Sequence, residues 1–134
     1  MSITFSWYDE DRTILLSTCT SLSSINDLLN IALLHEDTLE AIPYQVHVIC
    51  QPDPQMIGKI SIEGLHRVGE RNRIPHKNRG LLVIVTGGNM LIKTAANLYS
   101  ALTQQSILTA PTIESAHALI TERKPKLKWP KLIA

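Results

Sequence analysis

Apolar and polar positions alternate at the start of the chain. Ile3, Phe5 and Trp7 are separated by polar residues, and this period of two predicts a half-buried strand. The acidic residues 9–11 follow, and the segment TILLST at residues 13–18 predicts a second strand. A short turn between two strands predicts an antiparallel hairpin.

After the hairpin, segments with the helical period alternate with short apolar runs. A helix is predicted within residues 21–40, with Ser24 as its N-cap, and further helices are predicted at 56–71, 89–104 and 112–122. Strands are predicted at 44–50, 81–85 and 106–110. The resulting order is β-β-α-β-α-β-α-β-α. It predicts an α/β fold with a mixed, mostly parallel sheet that opens with the hairpin.

The chain of 134 residues predicts a single domain. No internal repeat or linker divides residues 1–123. Residues 124–134, KPKLKWPKLIA, differ in composition and are expected to form a basic, flexible tail.

The segment LLVIVTGGNMLIKT, residues 81–94, runs from an apolar strand into two glycines and a Lys-Thr pair. A phosphate-binding P-loop has a second glycine directly before the lysine, where this chain has Ile92. The apolar spacing of Leu91, Ala95 and Leu98 also predicts a buried helical stripe with Lys93 on the opposite, solvent-facing side. The P-loop is therefore rejected, and the spacing of a dinucleotide-binding motif is absent as well.

The strand-to-helix corner remains a candidate binding site. Thr86, Gly87, Gly88 and Asn89 precede a helix N-terminus, whose amides can bind a small anion. The alternative is that the glycines serve only to make a tight turn. Parallel strands end at a common sheet edge, where ligands bind in open α/β sheets. The predicted ligand- or partner-binding residues at this edge are Asp53, Thr86, Gly87, Gly88, Asn89 and Thr112.

Charge and hydropathy exclude several classes of protein. The formal net charge of +1 argues against a nucleic-acid-binding protein. No apolar run approaches the roughly 20 residues that span a bilayer, and the N-terminus lacks the pattern of a signal peptide. Cys19 and Cys50 fall within predicted strands, which indicates reduced, buried thiols and a cytoplasmic protein.

The titratable residues show no motif of a catalytic or metal site. The five histidines are scattered, His47 is expected to be a satisfied buried imidazole, and the cysteines lack a CxxC partner. The Gly-x-Ser-x-Gly motif is missing, and neither cysteine is expected to lie beside a base. We therefore expect no metal, no cofactor and no enzymatic activity.

The segments YQVHVIC at 44–50 and NRGLLVIVTGGNMLIKTAANLYSAL at 78–102 resemble the STAS superfamily, as does the order of the elements. The superfamily includes the bacterial anti-sigma-factor antagonists and STAS/SEC14-like small proteins. The resemblance implies a mixed sheet, helices mainly on one side, and binding in place of catalysis. The antagonists carry a phosphorylated Ser or Thr after the third strand. Only Asp53 matches that motif here, so the phosphoswitch is not expected.

These observations favour a non-catalytic interaction or regulatory module of STAS-like fold. We expect it to bind a protein partner through the carboxyl edge of the parallel strands and to self-associate as a homodimer. The alternative is a carrier of a small molecule or lipid at the same edge.

Overall fold

The computed structural model describes residues 2–20, 25–52, 63, 66, 67, 70, 77–103 and 107–123. Its strands are β1 (Ser2–Trp7), β2 (Ile14–Thr20), β3 (Val46–Gln51), β4 (Arg79–Val85) and β5 (Ile107–Ala110), and its helices are α1 (Ile25–Ala41), α2 (Met90–Thr103) and α3 (Ile113–Arg123).

The strands form one sheet in the order β1-β2-β3-β4-β5. β1 and β2 are antiparallel, and each later neighbouring pair is parallel. The predicted α/β class, with a mixed sheet opened by a hairpin, is confirmed. Within the predicted helix at 56–71, the described residues Glu63, His66, Arg67 and Glu70 are helical, and the others lie outside the described residues.

The core is divided between the two faces of the sheet. Residues of β3 are buried on both faces, with Val48 directed to one side and Ile49 to the other. Leu39 near the end of α1 packs on the Val48 side, whereas Ala116 and Ile120 of α3 pack on the Ile49 side. The resemblance implied helices mainly on one side, but α1 and α3 cover opposite faces.

The predicted apolar stripe of α2 is wrong at Leu91, whereas its members Ala95 and Leu98 are half-buried. Ile92 is 3% exposed and Ala96 is also buried, whereas Leu91 is 62% exposed. Leu91 and Ile92 are adjacent and both apolar, so the sequence pattern allows two helical phases, and packing selects the one that buries Ile92. Lys93 is exposed, as predicted, and the burial of Ile92 agrees with rejection of the P-loop.

His47 is buried and hydrogen-bonded, as predicted. Its Nδ1 accepts a hydrogen bond of 2.9 Å from the backbone amide of Leu81. The strand register shifts between Val46 and Val48, and the imidazole satisfies an amide of the neighbouring strand beside this shift. Burial lowers the pKa of His47 below its ordinary value of 6.5, and the carboxylate of Asp9 opposes this effect.

None of the helices within the described part of the chain combines the length and apolar character needed to cross a membrane.

The free energy of unfolding is expected to fall as the pH drops below about 6.5, the ordinary pKa of histidine. A lowered pKa in the folded state means that the unfolded chain binds the proton first, so the stabilising effect of neutral His47 is complete above that pH and is lost below it. We expect His47→Asn, which keeps an acceptor but cannot titrate, to show a smaller loss between pH 7.5 and pH 5.5 in urea unfolding.

The exposed His66→Gln variant is the matched control and is expected to retain the wild-type loss. An unchanged pH dependence in His47→Asn would show that this imidazole is not responsible.

Candidate functional site

The carboxyl ends of β4 and β5 are joined by hydrogen bonds beyond the strands themselves. The Thr86 amide donates to the Ala110 carbonyl at 2.8 Å, and the Gly87 amide donates to the Pro111 carbonyl at 2.9 Å. The loop at residues 86–89 and the loop that contains Thr112 therefore lie side by side at one edge of the sheet. The third predicted contributor, Asp53, lies outside the described residues.

The amides of the corner are largely occupied by partners within the chain. The Gly88 amide donates to Thr86 Oγ1 at 3.3 Å, and the Asn89 amide donates to the Thr86 carbonyl at 3.0 Å. Asn89 Oδ1 accepts from the Leu91 and Ile92 amides at 2.9 and 3.3 Å, so Asn89 is the N-cap of α2. An anion would have to displace these acceptors. The hydrogen bonds thus favour the turn interpretation over an anion site.

Both glycines of the corner have left-handed backbone conformations. Their φ angles are +61° at Gly87 and +78° at Gly88. This backbone region is unfavourable for residues that carry a Cβ atom. Each glycine faces open space. The glycines are therefore required by the backbone path, and they leave the surface of the edge accessible.

Thr112 has a local structural role at the start of α3. Its Oγ1 accepts a hydrogen bond of 3.0 Å from the Ser115 amide, while Ser115 Oγ accepts one of 2.9 Å from the Thr112 amide. This reciprocal pair is a capping box in which serine takes the place of the usual Glu or Gln. The binding roles of Thr86, Gly87, Gly88, Asn89 and Thr112 remain predictions.

An exposed apolar pair lies directly beside the corner. Met90 is 69% exposed and Leu91 is 62% exposed, and they are the first two residues of α2. Asn89 fixes the start of the helix, and the burial of Ile92 turns the two preceding residues outward. The carboxyl edge thus presents apolar side chains next to two exposed glycines.

A second group of chemically active side chains lies between the sheet and α1. Ser17 of β2 is directly opposite Cys50 of β3 in the parallel ladder, and Cys19, two residues after Ser17, is on the same face. From α1, His35 reaches this face, where its Nε2 is 2.8 Å from Ser17 Oγ. We call Ser17, Cys19, His35 and Cys50 the thiol cluster.

The environment of Cys50 stabilises its thiolate. A hydrogen bond with Cys19 is the main cause that lowers the pKa of Cys50 well below its ordinary value of 9.0. Burial opposes this effect, whereas a hydrogen bond and the positive charge of His35, and a hydrogen bond with Ser17, reinforce it. Cys19 is buried, Cys50 is partly buried, and neither is in a disulfide.

The thiol cluster corrects the expectation that neither cysteine has a base nearby. His35 is 15 residues from Cys50 in sequence, and only the packing of α1 on the sheet brings the two together. One sequence signal was available: His35 and Leu39 are four residues apart, so they share the face of α1 that packs on the sheet.

Within the described ranges, no group of three or more His, Cys, Asp and Glu side chains is arranged to hold a metal ion. Comparisons with protein-family models, curated proteins and solved structures find no match to this chain. Membership of the STAS superfamily therefore remains a prediction.

Replacing Gly87 by alanine is expected to lower the free energy of unfolding by about 1 kcal/mol, because alanine is strained at positive φ. Gly87→Asn is the matched control, since asparagine tolerates this conformation better and is expected to cost less. Urea unfolding of the two variants measures the difference. Equal losses in the two variants would contradict an origin in backbone conformation.

Proposed function

We propose that this chain is a non-catalytic interaction module that binds a protein partner at the carboxyl edge of its parallel strands. The observation that carries the proposal is the exposure of Met90 and Leu91, at 69% and 62%, beside the exposed corner glycines. Exposed apolar side chains grouped at one place favour association with an apolar surface of another protein. A regulatory role and a cytoplasmic location are part of the proposal.

The chemistry of the corner supports a protein partner more than an anionic ligand. Five of its amides already donate to Thr86, Asn89 and Pro111 within the chain. Gly87 and Gly88 have no side chains that would sterically block the backbone of a partner protein. A partner can therefore approach the corner closely while it covers Met90 and Leu91.

A second copy of the chain is one candidate partner, and the contact would then produce a homodimer. The same edge is also the place where a carrier would hold a small molecule or lipid. Native mass spectrometry of the freshly purified protein separates these cases. A doubled mass supports self-association, and a bound compound that leaves on denaturation supports the carrier alternative.

The double variant Met90→Glu/Leu91→Glu is expected to abolish partner capture at an unchanged thermal midpoint. Acidic residues are favourable in the first turn of a helix, where α2 has none, so the charges oppose association without weakening the fold. Capture is measured by cross-linking from a benzophenone side chain introduced at Asn97, an exposed residue of α2 two turns after Met90, and the partner is identified by mass spectrometry.

A single Lys93→Glu variant is the control, because Lys93 is also an exposed residue in the first turns of α2 but is not apolar. It is expected to retain capture. If the double variant captures the same partner as the wild type, Met90 and Leu91 are not in the contact surface.

A further inference from the structure

The thiol cluster concentrates hydrogen-bond donors around one sulfur atom. Cys50 has Ser17 directly across the strand pair, Cys19 diagonally across it, and His35 above it on α1. Ser17 has no solvent exposure, and its hydroxyl is held to His35 Nε2 at 2.8 Å. The positions of these donors are therefore determined by the sheet register and by the packing of α1.

The imidazole of His35 is held on two sides. Ser17 contacts its Nε2, and the ring of Phe5 on β1 meets it edge to face with ring centroids 5.2 Å apart. Such contacts restrict the rotation of the imidazole and keep it directed toward the cluster. The orientation of His35 thus depends on β1 and β2 as well as on α1.

The chemistry of such a cluster follows from its charge and exposure. A thiolate is the nucleophilic form of cysteine, and donors that stabilise it keep it populated near neutral pH. Cys50 is partly exposed and Cys19 is buried, so Cys50 is the more exposed of the two residues.

We propose that Cys50 is a modification site that reacts with hydroperoxides, with Cys19, His35 and Ser17 as its positioning residues. The thiolate sulfur attacks the terminal oxygen of the hydroperoxide, so that the S–O bond forms and the O–O bond breaks. The sulfur is oxidised to a sulfenic acid, and the hydroperoxide is reduced to an alkoxide or hydroxide that takes up a proton. This proposal does not rest on the proposed partner-binding function.

The sheet geometry assigns Cys19 the role of a donor and not that of a disulfide partner. In the parallel register, Cys19 is two residues past the position opposite Cys50. A strand spacing of about 4.8 Å and a rise of about 6.6 Å over two residues separate the Cα atoms by about 8 Å. A disulfide requires a separation below about 7 Å, so the sheet itself prevents that bond.

The test uses the purified 134-residue chain with hydrogen peroxide, followed by dimedone, which traps sulfenic acids. Mass spectrometry of peptides is expected to find the dimedone adduct on Cys50 and none on Cys19. An adduct on Cys19 alone, no adduct on either cysteine, or a Cys19–Cys50 disulfide would overturn the proposal.

Alkylation of Cys50 by iodoacetamide as a function of pH tests the role of the donors. Within the described residues, the titratable groups that face Cys50 are Cys19 of β2 and His35 of α1. The wild-type midpoint is expected well below 9.0, the ordinary value for a thiol. Cys19→Ala is expected to raise it, and the rate at pH 6 is then expected to fall because less of the thiol is ionised.

The conservative variant Cys19→Ser keeps a donor of similar size and is expected to retain most of the reactivity lost in Cys19→Ala. His35→Gln is expected to raise the midpoint as well, because it removes the positive charge. A wild-type midpoint near 9.0 overturns the proposal without the use of any variant. The Met90→Glu/Leu91→Glu double variant is expected to keep the wild-type reactivity, which separates this site from the partner surface.

Discussion

Strand β3 is hydrogen-bonded to parallel neighbours on both edges and packed against apolar side chains on both faces. Strands β2 and β4 and helices α1 and α3 are all positioned by contact with this strand. Val48 and Cys50 face the side covered by α1, while His47 and Ile49 face the other side. A shift of β3 by one residue would exchange the two sets. It would place the Cys50 thiol in the core beneath α3 and break the hydrogen bond that His47 accepts from the Leu81 amide.

Two of the buried polar residues, Ser17 and His47, lie on β2 and β3, and each is satisfied across elements. His47 accepts from Leu81 on β4, and Ser17 is paired with His35 on α1. A buried polar group without a partner would be costly, so these contacts also select the register and the rotation of α1. The thiol cluster is a consequence of the same selection. The residues that close the core on the α1 side also gather around Cys50.

The carboxyl edge is built differently, because its polar groups are used mainly for turns and caps. Asn89 caps α2 and Thr112 caps α3, while hydrogen bonds from Thr86 and Gly87 join the ends of β4 and β5. Among the described residues of this edge, Met90 and Leu91 are the large apolar side chains exposed to solvent. The proposed partner surface and the proposed thiol site are therefore chemically distinct, one apolar and exposed, the other polar and largely enclosed.

Local pattern alone determined the hairpin, the parallel strands and the fold class, because alternation and apolar runs depend on near neighbours in the chain. It also led to the rejection of the P-loop, since Ile92 replaces a required glycine. Tertiary packing decided the phase of α2, because Leu91 and Ile92 are equally apolar and only contact with the rest of the fold distinguishes them. It likewise decided the environment of Cys50. The register of β2 on β3 and the packing of α1 bring His35 to that thiol. Local sequence pattern predicts neither, because both depend on contacts between residues that are distant in sequence.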